Sequence, residues 1–92
     1  MSYAAIVANN NGDPILRANA KVIVVMLCGD GERAKVSGLN RAGRKIVKWV
    51  KRAHLINYRA KWVRDDKLGY PAYETKEEAA VMAAGLEAAN GR

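Results

Sequence analysis

Short apolar segments of the chain predict a set of β-strands. Residues 3–8 (YAAIVA) and 21–28 (KVIVVMLC) are apolar, and the second run is continuous and rich in β-branched side chains. A continuous run of this kind is typical of a strand that is buried on both faces. The GDGE sequence at 29–32 favours a tight reversal, and RAKVS at 33–37 fits the return strand of a hairpin. Residues 56–62 (INYRAKW) alternate with period two and predict a further strand.

A different pattern in residues 40–54 (NRAGRKIVKWVKRAH) predicts an amphipathic helix. At about 100° per residue, the basic side chains share one arc, and Ile46 and Trp49 lie on the opposite side. Asn40 fits the N-cap position of this helix. A strand would place Lys45 and Trp49 on the same face and would not separate charged from apolar side chains, so we favour the helix. The basic arc consists of Arg41, Arg44, Lys45, Lys48, Lys51 and Arg52.

The C-terminal third predicts an edge strand followed by a second helix. Residues 70–74 (YPAYE) fit an edge strand because Pro71 cannot donate a hydrogen bond to a ladder. Thr75 and Glu78 form a capping box, with the threonine as the cap and the glutamate three residues later. The alanine-rich residues 76–90 then predict a helix, and the Asn-Gly pair that follows is a C-cap signal.

These elements together predict one small α+β domain over residues 1–92. We expect an antiparallel sheet of about four strands packed with two helices, one basic and one alanine-rich. Residues 15–20 (ILRANA) fit no single pattern and could alter the strand count. Because they share faces with aliphatic residues, Trp49, Trp62 and Tyr58 are expected in the core rather than as stacking platforms for bases.

The charge is high and unevenly distributed. The formal net charge is +7, and residues 33–64 contain eleven basic residues and no acidic one. Residues 65–92 contain six acidic and three basic residues, so the middle of the chain carries more than the whole net charge. Such a balance favours an acidic partner, either a nucleic acid or an acidic protein surface.

The candidate chemistry of the chain excludes most enzyme classes. Cys28 and His54 are the only residues of their types, so an intramolecular disulfide is impossible and a structural zinc site is not expected. No phosphate-binding loop, dinucleotide fingerprint or nucleophile elbow occurs. We therefore expect a non-enzymatic protein without metal or cofactor. The chain also lacks a secretory signal and a run long enough to span a bilayer, which favours a soluble intracellular protein.

The basic middle of the chain is the candidate binding site. Exposed helix faces usually mix both signs of charge, because like charges one turn apart repel. Regularly spaced phosphates would relieve that repulsion, through contacts that are salt-sensitive and largely independent of base sequence. A plain solvated face is the competing interpretation. The predicted nucleic-acid contacts are Arg41, Arg44, Lys45, Lys48, Lys51, Arg52, Arg59, Lys61 and Arg64.

The chain as a whole resembles a family of phage-encoded anti-CRISPR proteins, the eighth described among inhibitors of the type I-F surveillance complex. The resemblance is carried by MSYAAIVANNNGDPIL, by RAGRKIVKWVKRAHLINYRAKW and by YPAYETKEEAAVMAAGLEAANGR, and it covers the full length. It implies a non-enzymatic inhibitor in the cytoplasm of a bacterial host. Such an inhibitor binds subunits and guide RNA (crRNA) of the surveillance complex and blocks hybridisation with target DNA.

The charge of the chain agrees with this expectation. RNA-guided complexes hold nucleic acid in a positively charged channel, so an inhibitor can be an acidic DNA mimic or can engage the guide RNA with basic residues. This chain has the sign for the second mode. Its acidic C-terminal helix, with Glu77, Glu78 and Glu87, is then predicted to meet basic subunit surfaces.

Two other classes remain open. The first is a small phage or bacterial nucleic-acid-binding module, such as a regulator or the arm-binding part of a recombinase, which would bind free nucleic acid. The second is an interaction module for an acidic protein, whose binding nuclease treatment would leave unchanged.

Overall fold

The computed structural model describes residues 2–64 and 73–90 as a five-stranded antiparallel sheet with one α-helix and one short 3₁₀ turn. The elements in chain order are β1 (Tyr3–Asn10), β2 (Lys21–Leu27), β3 (Arg33–Leu39), β4 (Lys45–Lys51), the 3₁₀ turn (Arg52–His54), β5 (Leu55–Val63) and α1 (Lys76–Asn90).

Strands β1 to β4 form a meander, and β5 returns to the free edge of β1. The strand order is therefore β4-β3-β2-β1-β5, and every neighbouring pair is antiparallel. One side-chain position of each strand lies in register across the whole width of the sheet. That row consists of Val47, Ser37, Ile23, Val7 and Arg59.

The hydrophobic core lies on one face of the sheet. Alternate residues of the strands, such as Ile6, Val24 and Val36, point to this face and are fully buried. Helix α1 covers β1 and β5 on this side and contributes Ala83 and Leu86 to the core. The remaining large members of the core cluster are Leu16, Val22, Val50, Leu55 and Tyr58.

The predicted basic helix over residues 40–54 is wrong, because the middle of this segment, Lys45–Lys51, forms strand β4 between a turn and the 3₁₀ turn. Asn40 does cap a backbone segment, but its Oδ1 accepts the N–H groups of Ala42 and Arg44 at 3.0 and 2.9 Å and closes a turn. Gly43 has φ +83°, a left-handed conformation that glycine adopts without steric cost. An asparagine side chain accepts backbone N–H groups both in a turn and at a helix N-cap, so the same residue fits either structure. Here the pairing of β4 with β3 selects the turn.

The coarse fold class is confirmed, since the protein is α+β with an antiparallel sheet, but it has five strands and one helix in its described residues. Helix 76–90 is confirmed, and Thr75 Oγ1 accepts the Glu78 N–H at 3.1 Å, as the capping box requires. The predicted edge strand falls largely outside the described residues, although Tyr73 pairs with Ala4. The Asn-Gly C-cap also involves a residue outside them. No helix in the described part of the chain could cross a bilayer.

Two of the three aromatic core predictions are also wrong. Tyr58 is buried with 7% exposure, whereas Trp49 and Trp62 are 41% and 55% exposed. On a strand, Trp49 shares a face with Lys45 and Lys51 instead of with Ile46, because side chains alternate with period two. The exposure of Trp49 therefore follows directly from the change of helix to strand.

Candidate nucleic-acid interface

The sheet has a second face on which no described element packs, and we refer to it as the open face. It presents the row from Val47 to Arg59 and the residues at every second position from it, except that a bulge in β2 brings Met26 opposite Lys35. Helix α1 contacts β5 and β1 from the opposite, core side. An antiparallel sheet that is packed on one side only can offer the other side to a ligand.

The charged residues of the open-face strands are all basic. None of the five strands contains an aspartate or glutamate. Arg33 is paired with Asp30 from the β2–β3 turn, at 3.2 Å between Nη2 and Oδ2, so its charge is partly offset. The cations on this face are Lys21, Arg33, Lys35, Lys45, Lys51, Arg59 and Lys61.

Three of these cations are close enough to affect one another. The positive charges of Lys21 and Arg59 lower the pKa of Lys61 below its ordinary value, because each disfavours a further positive charge nearby. The guanidinium of Arg59 is fixed by two hydrogen bonds from Nη1, to Asn9 Oδ1 at 2.8 Å and to the Asn57 carbonyl at 2.7 Å. Asn57 has φ +58° at a bulge in β5. A bound anion would relieve this repulsion without reorganising Arg59.

Trp49 adds an aromatic surface to the open face. It lies directly opposite Lys35 in the β3–β4 register, and Met26 lies opposite Lys35 on the other side. Both Trp49 and Met26 are more than 40% exposed. An exposed indole among cations is the combination that binds unpaired bases by stacking and their phosphates by charge.

The structure brings four of the nine predicted contacts together. Lys45, Lys51, Arg59 and Lys61 all lie on the open face. Arg41 and Arg44 lie in the β3–β4 turn, exposed to solvent, and Arg64 is exposed just after β5. These three predicted contacts therefore lie outside the open face.

The other two predicted contacts are engaged within the protein. Lys48 points to the core side of β4, where its Nζ binds the Asp13 carboxylate at 2.8 and 3.0 Å. Arg52 lies in the 3₁₀ turn, and its Nη1 donates to the Gly31 carbonyl at 2.7 Å. The carboxylate of Asp13 also accepts the N–H groups of Ile15 and Leu16. These side chains hold loops in place.

The predicted protein-binding glutamates occupy different environments. Glu77 and Glu78 are exposed in the first turn of α1, where negative charge is favoured by the helix dipole. They border an apolar area formed by Val81 and Met82, which are 75% and 43% exposed. The carboxylate of Glu87, by contrast, accepts the Tyr58 N–H at 3.1 Å and fastens α1 to β5.

Sequence reasoning missed Lys21, Arg33 and Lys35 as members of the same surface. A signal for them was present, because Arg33 and Lys35 are two residues apart on a predicted strand. The predicted helix at 40–54 centred the binding site on a helix face, so these three strand residues were not included. No group of three or more possible metal ligands occurs in the described residues.

The fold and its surfaces define a small α+β protein with a helix on one side of a sheet and a basic open face on the other. No family model, no curated protein and no solved structure matches the chain.

Proposed function

We propose that this protein is a phage-made inhibitor that binds the type I-F RNA-guided surveillance complex and lays its open face against the guide RNA. The bound protein blocks hybridisation of the guide with target DNA. It acts by occupancy, without catalysis, in the cytoplasm of the bacterial host. The type of complex comes from the sequence resemblance, and the mode of contact comes from the geometry of the sheet.

One observation supports the RNA contact above all others. The open face presents seven basic residues on strands β2 to β5, and none of the five strands contains an acidic residue. Cross-strand like charges destabilise a sheet, and this face has no acidic strand residues to offset them. A phosphate backbone supplies negative charge at regular spacing and offsets that repulsion.

The opposite side of the molecule supports a second contact with protein. Glu77 and Glu78 lie beside the exposed Val81 and Met82, and together they offer an acidic rim around an apolar patch. A basic subunit surface matches this chemistry, because charge complementarity fixes orientation and apolar burial adds affinity. Glu87 contributes by holding α1 in place.

The direct test is size-exclusion co-elution of the protein with an RNA-loaded type I-F surveillance complex. The decisive variant carries Lys35→Glu, Lys51→Glu and Lys61→Glu, one change on each of β3, β4 and β5. We expect this variant to lose co-elution and inhibition while keeping its fold, since the changes relieve like-charge repulsion. Circular dichroism and thermal unfolding check the fold.

The matched control carries Arg17→Glu, Arg41→Glu and Arg44→Glu in the loop and turn at the end of the sheet. Both triple variants lower the formal charge by the same amount. Lys48 and Arg52 stay unchanged in both, because their internal hydrogen bonds would confound the result. Binding that survives the face variant but not the control would rule out the open face as the RNA contact.

The exposed Trp49 favours a second candidate function, a small module that binds free single-stranded nucleic acid. Stacking on an indole does not require a protein partner, and it is tolerant of base sequence. Free guide RNA run in parallel distinguishes the two functions. Strong binding to free RNA alone supports the module, and binding only to the assembled complex supports the inhibitor.

A further inference from the structure

The open face is not flat, and its concave part has a mixed lining. A depression of about 310 Å³ crosses the sheet from β4 to β5. Its floor is aliphatic, with Val7, Ile23 and Leu39, and its edge carries the ammonium groups of Lys21, Lys45 and Lys61. The depression thus combines an apolar floor with a cationic edge.

Ser37 lies in this depression with an unpaired hydroxyl. The residue is 5% exposed, and its Oγ has no hydrogen-bond partner among the described residues. In register, Ser37 is flanked by Val47 on β4 and Ile23 on β2, neither of which offers a polar side-chain atom. A buried polar group without a partner destabilises a fold, so its presence here suggests a ligand atom that completes it.

The cations at one end of the depression are also incompletely balanced. Lys21 and Arg59 lower the pKa of Lys61, and the nearest strands provide no carboxylate. Among the described residues, the charged groups that lower the pKa of Lys61 are Lys21, Arg59 and Lys76, all of them positive. An anion bound between Lys21 and Lys61 therefore gains from both and relieves their repulsion.

We propose that the depression is a subsite for one unpaired ribonucleotide. The base lies on the aliphatic floor, the Ser37 hydroxyl bonds to a polar atom on its edge, and the phosphate lies between Lys21 and Lys61. This inference rests on the proposed function, because the nucleotide belongs to the RNA that the open face contacts. It adds that the face selects an unstacked base at one position.

A ligand simpler than a nucleotide would contact only part of this lining. Inorganic phosphate would use the lysines and leave the aliphatic floor and the Ser37 hydroxyl without a role. A purely apolar ligand would bring no negative charge to Lys21 and Lys61. A nucleotide carries a flat base with polar edges and an anionic group on one molecule, which matches all three features.

The test is an NMR titration of the full-length protein with each of the four ribonucleoside 5′-monophosphates at fixed ionic strength. The matching nucleosides and inorganic phosphate are separate arms. We expect a nucleotide to shift the amide signals of Val7, Ile23 and Ser37 at lower concentration than either arm alone. Equal responses to nucleotide and inorganic phosphate would overturn the subsite and leave only an anion site.

The informative variant is Ser37→Ala, which removes the hydroxyl and adds no other atom. We expect it to unfold at a higher temperature than the wild type, because an unpaired buried hydroxyl is removed. We also expect nucleotide affinity to fall about three- to tenfold, the size of one neutral hydrogen bond. Unchanged affinity overturns the role of Ser37, and so does a loss of stability.

Lys21→Gln and Lys61→Gln test the phosphate position, with Arg17→Gln as the matched control in the β1–β2 loop. The first two should weaken nucleotide binding more than nucleoside binding, and the control should change neither. Co-elution with the surveillance complex is measured for the same variants. If the wild type binds nucleotide but not the complex, the proposed function fails and the subsite stands; if it binds the complex but not nucleotide, the subsite fails alone.

Discussion

Two polar residues, Asn10 and Asp13, organise the loop between β1 and β2. Asn10 is 1% exposed, and its Nδ2 donates to the carbonyls of Asp13, Leu16 and Arg17 at 3.0 to 3.2 Å. Its Oδ1 accepts the Asp13 N–H at 3.0 Å. The side chain thus satisfies three backbone carbonyl groups of the loop, and Leu16 can be buried in the core. Buried polar groups are tolerated when they are satisfied in this way.

The buried ion pair of Asp13 and Lys48 should make stability depend on acid. Burial acts to raise the pKa of Asp13, but hydrogen bonds from Lys48, Ile15 and Leu16 and the charge of Lys48 outweigh it, so the pKa lies below 3.8. A carboxyl with a lowered folded pKa contributes stability above its unfolded pKa and loses it as pH falls through the folded value. Urea unfolding between pH 7 and pH 2.5 should therefore show a loss below about pH 4 that Asp13→Asn reduces.

Lys48→Met provides the complementary measurement. At pH 7 it leaves the Asp13 carboxylate with its two backbone donors only, and we expect a loss of about 1–2 kcal/mol in the free energy of unfolding. In the Asp13→Asn background the same substitution should cost less. Equal costs in both backgrounds would contradict the ion pair.

Strand β4 and its turn show why the sequence predicted some elements and missed one. Strands β1, β2, β3 and β5 were predicted because their signals are local, with β-branched runs or period-two alternation. Residues 40–54 contain a genuine helical pattern of charge, and only the neighbouring β3 ladder overrides it. The strand alternative correctly placed Lys45 and Trp49 on one face. Rejecting it put the basic residues on a helix face and Trp49 in the core, and both placements are wrong.

The candidate site was predictable only in part for the same reason. Lys45, Lys51, Arg59 and Lys61 were found because like charge accumulates in one stretch of sequence. Ser37 could not be found, because a single serine in a strand has no distinctive pattern, and its unpaired hydroxyl exists only once Val47 and Ile23 lie beside it.

The β3–β4 turn provides an element-scale prediction. Gly43→Ala places a side chain at φ +83°, and the new Cβ would lie 3.2 Å from Arg17 Nη2. We expect the free energy of unfolding to fall by about 1 kcal/mol, since left-handed backbone disfavours residues other than glycine. Gly29→Ala is the control, because nothing lies within 4 Å of its added Cβ and its φ is not positive. Denaturant midpoints that shift equally would contradict a conformational role for Gly43.

At the scale of the whole molecule, the two sides of the sheet carry opposite chemistry. The open face carries seven of the sixteen basic residues, and the start of α1 carries Glu77 and Glu78. Under the proposed function, this separation would orient the protein between an RNA surface and a protein surface. It also explains how a chain with a net charge of +7 can offer an acidic patch.

The charge on the open face should appear in the salt dependence of binding to a short single-stranded RNA. If its five lysines each neutralise one phosphate, log K should fall with log salt at a slope of about −3.5. The Lys35, Lys51 and Lys61 reversal should reduce that slope to about −1.4, and the Arg17, Arg41 and Arg44 reversal should leave it near the wild-type value. Fluorescence anisotropy at several salt concentrations measures all three, and the reverse ranking would place the contact at the turn.

The strand order also determines when, during synthesis, the edges of β1 become paired and can no longer bind another chain. Strand β1 emerges first and pairs with β2 soon afterwards. Its other edge stays unpaired until β5, which begins at Leu55, has been synthesised. That waiting edge, YAAIVANN, contains no charged residue to discourage pairing with another chain. The finished edge at β4 carries lysines at 45, 48 and 51. Nascent or truncated chains that end before β5 therefore expose the one uncharged edge of the sheet.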